Sequence, residues 1–153
     1  MGDMTTIREI LEFAIEREGE AVEFYMAMAD RVKNPAIQEL FEDLVTEELE
    51  HKSRLELEVM KEGIVARTVG VLPETSLDKT AVDLDQVRSQ MDYQEALDVA
   101  IQKERRSLRL YARLSGLVVE AEFSETLLSL AEEEARHLTA LEEQYENAMT
   151  EQQ

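Results

Sequence analysis

The sequence contains no cysteine and no tryptophan, only two prolines and five glycines in 153 residues, and 5% aromatics. Without cysteine there is no disulfide framework, no thiolate-held zinc, no iron–sulfur cluster and no cysteine nucleophile. A reducing cytoplasm is the compartment this fits most simply. Scarce proline and glycine exclude collagen-like and linker-rich chains, and the few aromatics disfavour an aromatic-cored β-sandwich. No apolar run approaches the roughly 20 residues of a membrane span. The opening MGDMTTIREI lacks the basic-then-apolar order of a signal peptide. Positive charge is also short, with 16 basic against 35 acidic residues and a net charge of −19. Such a chain repels phosphate backbones and anionic lipid surfaces, so neither nucleic acid nor a membrane is an expected partner. The same charge raises the local concentration of cations.

What is present is mostly Glu, Leu, Ala, Lys and Arg, all good helix formers. The length predicts a single domain over residues 1–153, burying roughly two-thirds of its surface. Thr6 and Glu9 form a capping box that opens a helix running to about Lys33. Asn34-Pro35 breaks it, and Pro35 suits the first position of a second helix that runs to about Glu62, with Gly63 closing it. Between Ile64 and Met91 the character changes: IVARTVGVLPE reads as extended, and SLDKTAVDLDQVRSQM as a short helix. Asp92 with Glu95 opens a third helix, weakened at Ser115-Gly116, and a fourth runs from about Ala121 to Met149. Two helix pairs joined by one long connection predict an all-α, ferritin-like four-helix bundle with its crossover between helices 2 and 3.

The two halves repeat at an offset of 86 residues. Glu9 maps to Glu95, Leu11 to Leu97, Ala14 to Ala100, Glu18 to Glu104 and Tyr25 to Tyr111. Further on, Leu44 maps to Leu130, Glu47 to Glu133, Glu48 to Glu134, His51 to His137 and Leu55 to Leu141. The chain has only two histidines, and both fall in this register with the same flanking glutamates. At alternating spacings of four and three, each helix yields a bundle seam. These are Ile7, Leu11, Ala14, Glu18, Ala21, Tyr25, Met28 and Ile37, Phe41, Leu44, Glu48, His51, Leu55 in the first half. The second half gives Tyr93, Leu97, Ala100, Glu104, Ser107, Tyr111, Leu114 and Phe123, Leu127, Leu130, Glu134, His137, Leu141. Each seam is apolar except near its middle.

In Glu-x-x-His the two side chains project from one helix face, one offering a carboxylate oxygen and the other an imidazole nitrogen. Two such helices facing two that carry a Glu give the donor set of di-iron and di-manganese bundles. The candidate metal ligands are therefore Glu18, Glu48, His51, Glu104, Glu134 and His137. Four buried carboxylates without a counterion are costly, whereas two divalent cations neutralise them. Oxygen and nitrogen donors suit iron or manganese, and zinc also fits. Tyr25 and Tyr111 lie two turns beyond their glutamates on the same face, placed to orient a ligand carboxylate. Glu47 and Glu133 point about 100° away from the ligand face, which suggests surface or inter-helix roles. The seven methionines read as gap-fillers of the core, and GIVARTVGVLPE carries no phosphate-binding glycine pattern.

At these residues the chain resembles the rubrerythrin-like proteins of the ferritin-like superfamily. Glu18-x-x-Ala21-x-x-Phe24-Tyr25 looks like the first-helix motif of that family, and Glu48-x-x-His51 like the second. Glu104-x-x-Ser107-x-x-x-Tyr111 and Glu134-x-x-His137 look like the corresponding second half, so the resemblance covers roughly residues 7 to 145. It implies two irons between the helix pairs, reduction of hydrogen peroxide or dioxygen, and a role against oxidative stress. Ferritins on the same fold oxidise Fe(II), so a ferroxidase or iron-handling protein is the alternative. A non-catalytic helical module with a structural metal is the alternative of another class. Two departures matter. The family's rubredoxin domain has four cysteines and these residues have none, so a separate donor such as rubredoxin or a flavoprotein is implied. The family's extra Glu one turn after the third-helix ligand, to which the resemblance ties iron movement and fast peroxide chemistry, is replaced by Ser107, which leaves the more symmetric four-Glu, two-His site. The 28-residue connection from Ile64 to Met91 would let helix pairs exchange between chains, and a homodimer is expected.

Overall fold

The computed structural model describes residues 4–5, 7–61, 72–73 and 92–151. Four helices dominate: α1 (Ile7–Arg31), α2 (Pro35–Lys61), α3 (Tyr93–Ser115) and α4 (Ala121–Glu151). Helix ends follow local chemistry. Asn34 caps α2, its side-chain oxygen accepting from the Ala36 amide at 2.9 Å, and Pro35 occupies the first helical position, where no amide donor is needed. Asp92 caps α3 by accepting from the Glu95 amide at 2.7 Å. At the second break, Gly116 closes α3 through its amide to Arg113 O, and Ser124 Oγ of α4 donates to Ser115 O at 2.6 Å. Thr6 of the first capping box, Gly63, and the short helix expected within residues 64–91 lie outside the described residues. Within the connection Leu72–Pro73 (β2) is extended and pairs antiparallel with Met4–Thr5 (β1), in register Met4 to Pro73 and Thr5 to Leu72.

Helix α1 packs along α2 and α3 along α4, so the bundle is two helical hairpins. The hairpins approach each other less closely, α1 beside α3 and α2 beside α4. All seam residues are buried except Ile7, Ile37, Tyr93 and Ser107, which are partly exposed. The apolar seam residues collect into two clusters. One joins Tyr25, Met28, Phe41, Leu44, Leu97, Ala100 and Leu141. The other joins Tyr111, Leu114, Leu127, Leu130, Leu11, Ala14 and Leu55. The 86-residue register exchanges the two sets almost member for member, so the duplication read in the sequence is a two-fold relation between the hairpins. The methionines depart from expectation: Met28 is buried, but Met26, Met60 and Met149 are exposed on helix surfaces. No described helix is long and apolar enough to cross a membrane.

Adjacent leucines of α4 test the seam. Leu127 is fully buried and Leu128 is 48% exposed. Leu127→Ala is expected to lower unfolding stability by about 2–5 kcal/mol, and Leu128→Ala by no more than about 0.5 kcal/mol, measured by urea unfolding. Equal losses would place α4 in a different rotation.

Candidate metal centre

Between the two apolar clusters the seams turn ionisable. Glu18 of α1, Glu48 and His51 of α2, Glu104 of α3, and Glu134 and His137 of α4 all point inward, and none is more than 6% exposed. The structure brings together all six residues singled out from the sequence. They form two overlapping donor groups, Glu18, Glu48, His51, Glu134 and Glu48, Glu104, Glu134, His137, with the donor atoms of each group within 4.8 Å of one another. Glu48 and Glu134 belong to both groups, which is the placement a carboxylate shared by two cations requires. His51 Nδ1 lies 2.6 Å from Glu134 Oε1 and 3.5 Å from Glu48 Oε2. His137 Nδ1 lies 2.9 Å from Glu48 Oε1 and 3.8 Å from Glu104 Oε2. The imidazole rings stack with centroids 5.6 Å apart.

The tyrosines bind across the hairpins. Tyr111 Oη of α3 donates to Glu18 Oε1 of α1 at 2.5 Å, and Tyr25 Oη of α1 donates to Glu104 Oε1 of α3. Each phenol thus fixes one oxygen of a carboxylate and leaves the other. Those remaining atoms, Glu18 Oε2 and Glu104 Oε2, are buried without an aligned hydrogen bond, as are both oxygens of Glu134 and both nitrogens of His51, even though His51 Nδ1 and Glu134 Oε1 lie 2.6 Å apart. A buried polar atom without a partner is strongly unfavourable. Here the partnerless atoms are hard oxygen and nitrogen donors converging on two points, so the residues fit a pair of divalent cations.

The electrostatics of the cluster without metal say the same. Burial, together with the carboxylates of Glu48 and Glu134, pushes the Glu18 carboxyl well above the usual range. Burial acts on Glu48 too, but its contacts with Glu18, His137 and His51 outweigh it and hold that carboxyl well below the usual range. Burial alone would lower both imidazoles; contacts with Glu134 and Glu48 outweigh it and push His51 up to about 9 and His137 up to about 10. Protons therefore stand in for part of the missing positive charge. Tyr25 and Tyr111 are both pushed up, chiefly by burial and then by the nearby carboxylates, so they remain donors.

Sequence reasoning understated Glu47 and Glu133. Glu47 Oε2 pairs with His137 Nε2, and Glu133 Oε1 lies 3.7 Å from His51 Nε2. Each faces the outer nitrogen of the other hairpin's histidine, the position from which a carboxylate sets ring orientation and basicity. Their shared register immediately before each ligand Glu was the available signal, and the adjacency of α2 and α4 makes it intelligible. Arg54, which the sequence did not single out, pairs with Glu133 Oε2 at 2.5 Å.

A family model described as rubrerythrin matches residues 9–148. Among solved structures, a hypothetical protein from Pyrococcus furiosus superposes with a TM-score of 0.74 at 22% identity, over 95% of this chain and 91% of that one. A two-domain protein from Anabaena variabilis, containing DJ-1/ThiJ/PfpI-like and ferritin-like domains, superposes with a TM-score of 0.67 at 13% identity. That match covers 96% of this chain and 41% of the larger one. At these identities the likeness is one of fold. No curated protein matches the chain.

Two expectations follow from the geometry. Tyr111→Phe releases Glu18 and Tyr25→Phe releases Glu104, and each is expected to weaken binding of one of two Co(II) ions about 10- to 100-fold in an equilibrium titration. Unchanged affinity would make the phenols packing groups only. The second concerns pH. The folded-state values of His51 and His137 lie above the ordinary 6.5, so the stability they confer is complete below that pH and lost as pH rises through about 9 and 10. The thermal midpoint of metal-free protein should fall across that window, while protein loaded with metal, its imidazoles already deprotonated, should not show the fall. A flat profile for metal-free protein would mean that the imidazoles are not charged in the cluster.

Proposed function

Since the chain belongs to the rubrerythrin family, we propose that it is a di-iron oxidoreductase reducing hydrogen peroxide or dioxygen with electrons from a separate donor. The observation that carries this reading is the complete six-donor cluster, with partnerless oxygens aimed at two points and apolar packing on both sides. Two irons bound there supply the electrons and the Lewis acidity for cleaving an O–O bond.

The chain's own part is holding and excluding. Glu18 with His51 would hold one ion and Glu104 with His137 the other, while Glu48 and Glu134, which belong to both donor groups, could serve either. Tyr111 and Tyr25 keep the outer carboxylates from rotating and retain their protons. Phe41 and Leu44 on one side and Leu127 and Leu130 on the other keep bulk water from the cluster. Reduction of peroxide to two waters consumes two protons and two electrons. No thiolate carrier lies within these residues, so the electrons come from a donor outside them, such as rubredoxin or a flavoprotein.

A ferroxidase reading uses the same residues with Fe(II) as substrate. The half-exposed Glu47 carboxylate on His137 and the net charge of −19 favour it. The readings separate in one experiment: protein loaded with Fe(II) without oxygen, assayed for metal, then mixed with peroxide or air-saturated buffer in a stopped-flow spectrometer. About two irons per chain and ferric absorbance that rises faster with peroxide than with air are expected. Equal rates would sink the peroxidase reading. Many irons oxidised and kept soluble per chain would establish the ferroxidase instead. Tight zinc binding with no iron-dependent signal would reduce the cluster to a structural clamp.

A further inference from the structure

The internal duplication allows the two sides of the cluster to be compared position by position, and the surroundings of Glu133 and Glu47 differ. Glu133 is restrained. Arg54 Nη2 lies 2.5 Å from its Oε2, and Arg136 adds positive potential, so its other oxygen stays 3.7 Å from His51 Nε2. The positions equivalent to Arg54 and Arg136 on the other side are Ala140 and Glu50. There Glu47 reaches His137 Nε2 directly, and among the described residues no lysine or arginine pairs with it. The Glu47 side chain is 51% exposed and that of Glu133 22%. His137 is 6% exposed, while the other five residues of the cluster are at 2% or less.

We propose that a metal ion enters and leaves the cluster past Glu47 and His137, and that Arg54 closes the equivalent path past Glu133. This rests on reading the six residues as metal ligands. Among the described residues the apolar clusters flank the cluster on both sides, and the two tyrosine–carboxylate bonds span α1 and α3. A cation arriving from solvent between α2 and α4 meets one of two carboxylates. At Glu133 it meets a guanidinium already in place, which repels it and occupies an acceptor oxygen. At Glu47 it meets a half-exposed carboxylate whose partner is itself a candidate ligand. The ion exchanges places with the imidazole on that carboxylate, is held there briefly, and passes to Glu48 and Glu104 beyond. Glu47 is thus a transient ligand on the path and Arg54 a positioning residue that makes the path one-sided.

The test measures Co(II) association by stopped-flow absorbance and dissociation into excess chelator, both at low ionic strength, for the wild type, Glu47→Gln and Glu133→Gln. The wild type is expected to take up two Co(II) per chain. Glu47→Gln should reach the same end point with association about tenfold slower, dissociation slowed in parallel, and a weaker dependence on salt. Glu133→Gln should associate at the wild-type rate. The proposal is overturned if Glu47→Gln associates normally, or if Glu133→Gln is slowed equally. It is also overturned if Glu47→Gln changes dissociation alone by speeding it, since Glu47 would then merely steady His137. Failure of the wild type to bind Co(II) would instead remove the ligand reading itself, and this proposal with it.

Discussion

Four carboxylates held in one dry layer at mid-bundle are the constraint around which the structure is arranged. Glu18, Glu48, Glu104 and Glu134 each show at most 2% of their surface, and their mutual repulsion in a low-dielectric interior would expel them if nothing compensated. Three kinds of compensation are visible. Tyrosines from the facing hairpin donate to one oxygen each of Glu18 and Glu104, raised histidines supply charge, and the raised Glu18 carboxyl favours its neutral form. The oxygens and nitrogens still without partners define what is missing, which is a pair of cations. The layer is therefore built for an occupant, and the fold places apolar packing on either side of it to hold the rest of the bundle together.

That arrangement also explains how the two hairpins associate. Within a hairpin the helices are in close contact, whereas between hairpins the approach is wider. The inter-hairpin space is bridged by the tyrosine–carboxylate pairs across α1 and α3, and by histidine–carboxylate contacts across α2 and α4. Polar groups therefore join the hairpins at mid-bundle, between two apolar clusters that also draw on both hairpins. A polar interface is directional, so it fixes the register of one hairpin against the other. Every bridging group has a counterpart 86 residues away, and the register that satisfies one bridge satisfies its twin.

Most of this was legible in the residues, for identifiable reasons. The helices follow from periodicity, and their ends from Asn34-Pro35, Asp92 and Ser115-Gly116, because capping is local chemistry. The six clustered residues follow from seam position, because a buried Glu-x-x-His on each of two helices has few other uses. The tyrosine partners were only half legible. Spacing placed Tyr25 and Tyr111 on the correct face, but spacing along one helix cannot say that each phenol crosses to the other hairpin's glutamate. Glu47 and Glu133 were read as off the ligand face, and they are. What the sequence could not supply was the closeness of α2 to α4, which brings an off-face carboxylate onto a histidine of the neighbouring helix. Met28 fills the core as expected, but Met26, Met60 and Met149 do not, because size and polarity alone do not say which face of a helix a residue occupies.

The differences between the halves carry more information than the repeat. Duplication alone would give two equal metal positions with equal surroundings. At Arg54 and Ala140 the copies diverge, and the divergence falls next to a carboxylate that touches the cluster. Where Arg54 holds Glu133, His51 is wholly buried; where Ala140 stands, Glu47 is free to engage His137 at the surface. Arg54 and Arg136 thus break the symmetry of a site whose donor residues remain matched. Chemistry at a pair of metals benefits from equal donors, because both ions must reach similar oxidation states. Supply of those metals benefits from unequal access, because a buried cluster with two open sides would admit water as readily as cations. The proposed one-sided access would meet both demands, since the six inner residues are matched between the halves and the outer ones diverge.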